Sequence, residues 1–172
     1  KPFLIAEIGG NHEGKIERAI NMINLAKEGG ADAVKFQSYS GDGLVNKFVS
    51  PNRYKHFNKF SLSDEEFLRL IEESKKLGIE FMTSVWDNDF LKKLSPYLKI
   101  LKIGSGDLTN YMLLKKILKI NKPLIISTAM SNLEEIISLV EFIKECESKC
   151  GCKTKYGNYC NKHKRNHLVQ ND

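Results

Sequence analysis

Three charged side chains interrupt stretches that are otherwise apolar. Glu7 falls within Phe3 to Ile8 (FLIAEI), Lys35 within Ala33 to Gln37 (AVKFQ) and Lys102 within Lys99 to Ile103 (KILKI). A charge in a segment bound for the interior is costly unless it is paired or aimed at a ligand. A lysine aimed into a site gives a compact positive charge to a phosphate or carboxylate, or forms a Schiff base if burial lowers its pKa. Simpler accounts remain open: Glu7 neutralised by a neighbouring lysine, or lysines whose stems lie along the surface with their ammonium groups in water.

Small and hydroxylated residues follow these charges. Gly9-Gly10-Asn11-His12 comes directly after the Glu7 segment, and Gly104-Ser105-Gly106-Asp107 after the Lys102 segment. Glycines let the backbone approach a ligand closely, and a Gly-Ser-Gly turn presents N–H groups and a hydroxyl to an anion. Thr83-Ser84 and Ser127-Thr128 close two further apolar runs. Their hydroxyls suit phosphate oxygens, although Ser and Thr there also serve as helix caps. Taken together, these residues describe a phosphoanion pocket.

The elements that must carry them alternate. Strand patterns at residues 3–8, 33–37, 79–84, 99–103 and 124–127 are each followed by apolar residues at helical spacing. Those helices are expected from Ile16 to about Gly29, from a capping box at Ser63-Asp64-Glu65-Glu66 to Gly78, and over 87–94, 110–120 and 131–147. Residues 38–61 read as a loop. Five strand-helix units imply a parallel sheet covered by helices, either doubly wound or part of an eight-unit barrel. In both architectures ligands bind at the carboxyl ends of the strands, where these polar residues emerge.

The 172 residues are 41% hydrophobic and 28% charged, the make-up of one soluble globular domain, with no run long enough to span a bilayer and no signal pattern at Lys1 to Phe3. A cytoplasmic location is expected. The net charge of +6 is concentrated at one end. Six of the 27 basic residues and one of the 21 acidic ones lie in residues 148–172, which leaves 21 against 20, or +1, in residues 1–147. The boundary at 147 therefore divides a nearly neutral α/β body from an irregular basic tail whose only aliphatic residues are Leu168 and Val169. Cys146, Cys150, Cys152, Cys160, His163 and His167 collect at that end. His163 and His167 have the H-x3-H spacing of a zinc finger, but the chain has no C-x2-C pair, so a zinc site is not expected. Nucleic-acid binding by the tail is not expected either, because only Tyr156 and Tyr159 are available for stacking. A disordered tail, or a frameshift or fragment end replacing a sixth strand, is the expectation.

Four segments in order, Ala6-Glu7-Ile8-Gly9-Gly10-Asn11-His12, Gly30-Ala31-Asp32-Ala33-Val34-Lys35-Phe36-Gln37, Leu101 through Asn110 (LKIGSGDLTN), and Pro123 through Met130 (PLIISTAM), resemble the N-acetylneuraminate (sialic acid) synthase family. The resemblance covers about residues 3–145 and includes the legionaminic and pseudaminic acid synthases and the spore-coat polysaccharide synthase branch. It implies a (β/α)8 TIM barrel, here incomplete at about five strand-helix units. It also implies a transferase of carbohydrate biosynthesis that condenses phosphoenolpyruvate with N-acetylmannosamine or a related amino sugar, releasing phosphate. By motif, Lys35, Lys102, Ser84, Ser105 and Ser127 would hold phosphoenolpyruvate, Glu7 and Asp107 would face the sugar and the reacting centre, and Gln37 and Asn110 would be their neighbours. The family also implies a divalent metal, Mn2+ or Mg2+, and a homodimer with a small antifreeze-like domain.

Its metal histidines come from later strands, so no metal ligand is assigned here. His12 is expected as a loop contact near the pocket, and His56 has no assigned role. With three further barrel units and the antifreeze-like domain not in this sequence, impaired activity is expected. The alternative is a non-catalytic protein that binds phosphorylated ligands or a partner that completes the barrel.

Overall fold

In a computed structural model of the protein, residues 1–86, 88–148 and 167–170 are described, and they fall into two compact units, Lys1–Leu98 and Lys99–Asp172. Cys150, Cys152, Cys160 and His163, on which the zinc reading turns, lie outside the described residues.

The first unit carries three parallel strands, β1 (Ile5–Gly9), β2 (Ala33–Ser38) and β3 (Glu80–Val85). β2 pairs with both of the others, matching Glu7 with Lys35 on one side and Lys35 with Met82 and Gln37 with Ser84 on the other. β1 starts two residues later than its apolar pattern predicts. Phe3 and Leu4 stay exposed, and Leu4 is tied instead through its amide to the Asp32 carboxylate at 2.8 Å. Helix α1 (Ile16–Glu28) buries Ala19 and Ile23, one turn apart on a single face.

Residues 38–61, expected as a loop, instead contain α2 (Gly41–Leu44) and α3 (Pro51–Phe60). α3 begins with Pro51 in its first turn, where the missing N–H costs nothing, and buries none of its residues. An amphipathic pattern was therefore not there to be read. Side chains fix the two helices: Tyr54 donates to Asp42 at 3.1 Å, and Asn58 Oδ1 accepts the Gly41 N–H at 3.0 Å.

Helix α4 (Asp64–Leu77) follows its sequence signals closely. Ser63 Oγ accepts the Glu66 N–H at 3.2 Å, and Glu66 accepts the Ser63 N–H at 2.7 Å. Gly78 closes it in the left-handed region at φ 63°. Phe67 and Leu70 point inward, and Phe67 meets Phe90 of α5 (Asn88–Leu94) edge to face. Behind β2, Phe36 stacks on Phe81 with ring centroids 5.3 Å apart. Burying each such ring is worth about 1.5–3 kcal/mol.

The second unit holds β4 (Leu101–Ile103), a short 3-10 turn (Ser105–Asp107), α6 (Tyr111–Ile120), β5 (Leu124–Ser127), α7 (Leu133–Ser148) and β6 (His167–Gln170). Helix α6 buries Leu113, Leu114, Ile117 and Leu118, and Tyr111 packs edge to face on Phe142 of α7 at 4.9 Å. The strands β4, β5 and β6 are parallel, with Lys102 opposite Ile125 and Leu168 opposite Ile125 on the other side. β6 corrects the reading of residues 148–172 as irregular throughout. Leu168 and Val169, the only aliphatic residues of that segment, extend the ladder of β5, whose backbone groups supply what the short apolar pattern does not.

Candidate functional site

Each unit carries polar groups within its strands and toward their carboxyl ends. In the first, the paired positions Glu7 and Lys35 form an ion pair, with Lys35 Nζ on Glu7 Oε2. Only 12% of the lysine side chain is exposed, against 50% of the glutamate. The account of Glu7 as a carboxylate neutralised by a neighbouring lysine is therefore the observed geometry. It leaves the Glu7 side chain half-exposed beside the ammonium group.

The pair is set by an irregularity in the strand. Register along β1 slips between Glu7 and Gly9, so that Glu7 matches Lys35 but Gly9 already matches Phe36. Such a bulge turns neighbouring side chains away from plain alternation. Gly9 has φ 56°, and a Cβ there would stand 3.3 Å from Glu7 Oε1 and 3.7 Å from the Gln37 amide nitrogen. The glycine thus leaves room for Glu7 and Gln37 to close over the strand end. Ser84, buried and opposite Gln37, adds a hydroxyl within β3 and is not a helix cap.

In the second unit Lys102 is 7% exposed. Its ammonium group donates to the carbonyl of Ile103 at 2.8 Å and to Ser127 Oγ. Ser127 ends β5 and does not cap α7, because Asn132 takes that role: its Oδ1 accepts the Glu135 N–H and Glu135 accepts the Asn132 N–H, both at 2.9 Å. Ser105 and Asp107 lie in the 3-10 turn after β4. Burial raises the Asp107 carboxyl above its usual range, opposed by a hydrogen bond from Asn110. That Asn110 amide donates to Asp107 at 3.4 Å while its oxygen caps α6 by accepting the Leu113 N–H at 3.2 Å. Asn110 accordingly has a structural duty beside any role toward a ligand.

Two features escaped the sequence reading. Tyr39 stacks on Trp86, centroids 5.4 Å apart, just past the ends of β2 and β3, where the Trp86 N–H reaches the Ser38 carbonyl at 3.3 Å. Alternation through Lys35, Gln37 and Tyr39, and through Met82, Ser84 and Trp86, was the signal for that pair. His12 is 2% exposed and packs on Phe36, with centroids 6.0 Å apart. Phe36 alternates with Lys35 and Gln37 along β2, so the His12 ring packs on the face of the strand opposite to theirs.

Among the described residues no group of three or more His, Cys, Asp or Glu side chains could hold a metal ion. The described chain therefore does not fit the divalent metal implied by the resemblance, and no chemistry is routed through one. No described helix is long and apolar enough to cross a membrane.

Residues 22–167 match the family model described as the NeuB family. The chain belongs to the NeuB family. It is 40% identical over 157 residues to the N,N'-diacetyllegionaminic acid synthase of Legionella pneumophila, covering 83% of this chain and 44% of that protein. It is 34% identical over 155 residues to the N-acetylneuraminate-9-phosphate synthase of Drosophila melanogaster, covering 83% and 42%. Both relatives are more than twice as long as the part matched. The crystal structure of the N-acetylneuraminic acid synthetase of Leptospira borgpetersenii, solved in complex with citrate, is similar at TM-score 0.79 and 31% identity over 84% of this chain and 50% of that one. Parallel strands alternating with helices are thus part of the TIM-barrel architecture of NeuB structures.

Proposed function

We propose that this NeuB-family chain serves the condensation of phosphoenolpyruvate with N-acetylmannosamine or a related N-acetylated amino sugar, with release of phosphate. The observation that carries this reading is the Lys35–Glu7 ion pair between adjacent positions of β1 and β2. It couples a nearly buried cation to a half-open carboxylate, the two charges that an enol phosphate and its reaction require.

In the proposed reaction C3 of phosphoenolpyruvate forms a bond to the aldehyde carbon, the carbonyl oxygen takes a proton, and positive charge builds at C2. Water adds to C2, the bond from C2 to the phosphate oxygen breaks, and phosphate leaves. Lys35 and Lys102, with the hydroxyls of Ser84, Ser105 and Ser127, are assigned to the carboxylate and phosphate of phosphoenolpyruvate. Glu7, paired with Lys35, is assigned to the cationic centre at C2, where a fixed charge is worth several kcal/mol of barrier. Asp107, Gln37 and Asn110 are assigned to the sugar and the reacting centre.

The test is phosphate release from phosphoenolpyruvate by the purified chain, in buffer containing Mn2+, with and without N-acetylmannosamine. The reading expects release only when the sugar is present, in equal amounts with sugar consumed. Release that ignores the sugar makes the protein a phosphatase, and no release removes catalysis from this chain.

A further inference from the structure

We infer that His12 is a positioning residue for Glu7: its unprotonated Nδ1 closes the turn after β1, and that turn holds the bulge that aims the carboxylate. The inference rests on the assignment of Glu7 to the reaction, but its geometric part stands without it.

The turn between β1 and α1 is a chain of short hydrogen bonds. Ile8 O accepts the Asn11 N–H at 3.1 Å and the Asn11 side-chain amide at 2.9 Å, Gly10 O accepts the Glu13 N–H at 3.0 Å, and His12 O accepts the Lys15 N–H at 3.0 Å. Within it Gly9, Glu13 and Gly14 all have positive φ, 56°, 55° and 70°. A non-glycine residue such as Glu13 adopts that conformation only when its surroundings enforce it. Gly14 lies so close to α3 that a Cβ would fall 2.3 Å from the Lys59 carbonyl, and its N–H donates to His12 Nδ1 at 3.1 Å.

That hydrogen bond fixes the chemistry of the ring. Nδ1 must be unprotonated to accept, so the proton of the neutral imidazole resides on Nε2. The ring is wedged against Phe36, whose neighbours along β2 are Lys35 and Gln37. His12 thus anchors one end of the turn behind β2, while the other end, Gly9, lies against Glu7 and Gln37 in front of it. Burial holds the imidazole below the ordinary histidine range of about 6.5, opposed by Glu66 of α4 and reinforced by Arg18 of α1. Arg18 is itself paired with Glu13 at 2.7 Å, and from α3 the charge nearest in sequence to the contact is Lys59, whose ammonium group lies over the Phe60 ring. Protonating His12 would oppose two donors across 3.1 Å and break the Gly14 bond.

The experiment is a pH titration of the full chain followed by NMR at the Gly14 amide and the Glu7 side-chain carboxyl carbon, repeated with His12→Asn, whose amide oxygen can accept the Gly14 N–H without titrating. Both wild-type resonances should move together at a midpoint below 6.5, and that shared step should vanish in His12→Asn. A Glu7 signal that ignores the Gly14 step, or the same step persisting in His12→Asn, overturns the inference. The wild-type titration needs neither a variant nor turnover, so an inactive wild type would refute the proposed function while this measurement still decides the positioning role. In an active chain, His12→Leu should lower kcat about tenfold, or about 1.4 kcal/mol, with KM for phosphoenolpyruvate within about twofold, and His12→Asn should recover most of the loss. Equal losses in both variants would mark His12 as merely structural.

Discussion

Glu7 and Lys35 neutralise each other across adjacent strands, yet the glutamate stays half open, so each residue can be tested by a different loss. Lys35→Ala removes a cation and frees the carboxylate it orients; turnover should disappear, and near-normal kcat/KM would remove Lys35 from the mechanism. Gly9→Ala places a methyl group 3.3 Å from Glu7 Oε1 at φ 56°, so kcat should fall along with stability. Asp107 offers a test by pH. Its carboxyl is raised by burial, so the folded state binds the proton more tightly than the unfolded chain. The associated stability is full below the ordinary carboxyl value of 3.8 and is lost as pH rises through the higher folded value. Asp107→Asn should therefore be more stable than wild type at pH 7 and lose that advantage near pH 3, as read by urea denaturation. For His12 the sign is opposite in direction of titration: below about 6.5 the unfolded chain takes up a proton that the folded chain resists, so stability falls on acidification. Glu7, Lys35 and Lys102 were legible in the sequence because a charge inside an apolar run is conspicuous. His12 was not, because its burial depends on three positive φ angles that no composition or period announces.

At the scale of elements, legibility followed the source of stability. Helix α4 announced both ends, Ser63 with Glu66 at one and Gly78 at the other, and its core residues kept helical spacing. Ser63→Ala should cost about 1 kcal/mol in denaturant melts, and a change within a few tenths would show that the box contributes nothing here. Helix α3 announced nothing, since it buries no residue and is held by Tyr54, Asn58 and the contact of its Lys59 carbonyl with Gly14. Gly14→Ala should disturb that contact, because its methyl group and the Lys59 carbonyl cannot both stay. Strand β6 was missed for a related reason. A four-residue strand takes its order from the ladder it joins, and that partner, β5, is invisible in its own pattern. The Thr and Ser hydroxyls at strand ends were ambiguous between caps and ligand groups until Asn132 was seen to cap α7, leaving Ser127 to Lys102.

For the molecule as a whole, the NeuB family match over residues 22–167 and the α/β alternation agree with what the four sequence segments implied. The charges that distinguish the chain are few and local: the excess of basic residues lies largely in 148–172, while function is assigned to lysines within a nearly balanced body. Anion binding should therefore depend on Lys35 and Lys102 and not on net charge. The most direct measurement is calorimetric titration of phosphoenolpyruvate into the wild-type chain, Lys35→Ala and Lys102→Met, with circular dichroism to confirm folding. Saturable binding by the wild type, weakened at least about tenfold in each folded variant, or about 1.4 kcal/mol, is the predicted result. Equal affinity in all three proteins, or no binding by the wild type, would contradict the account.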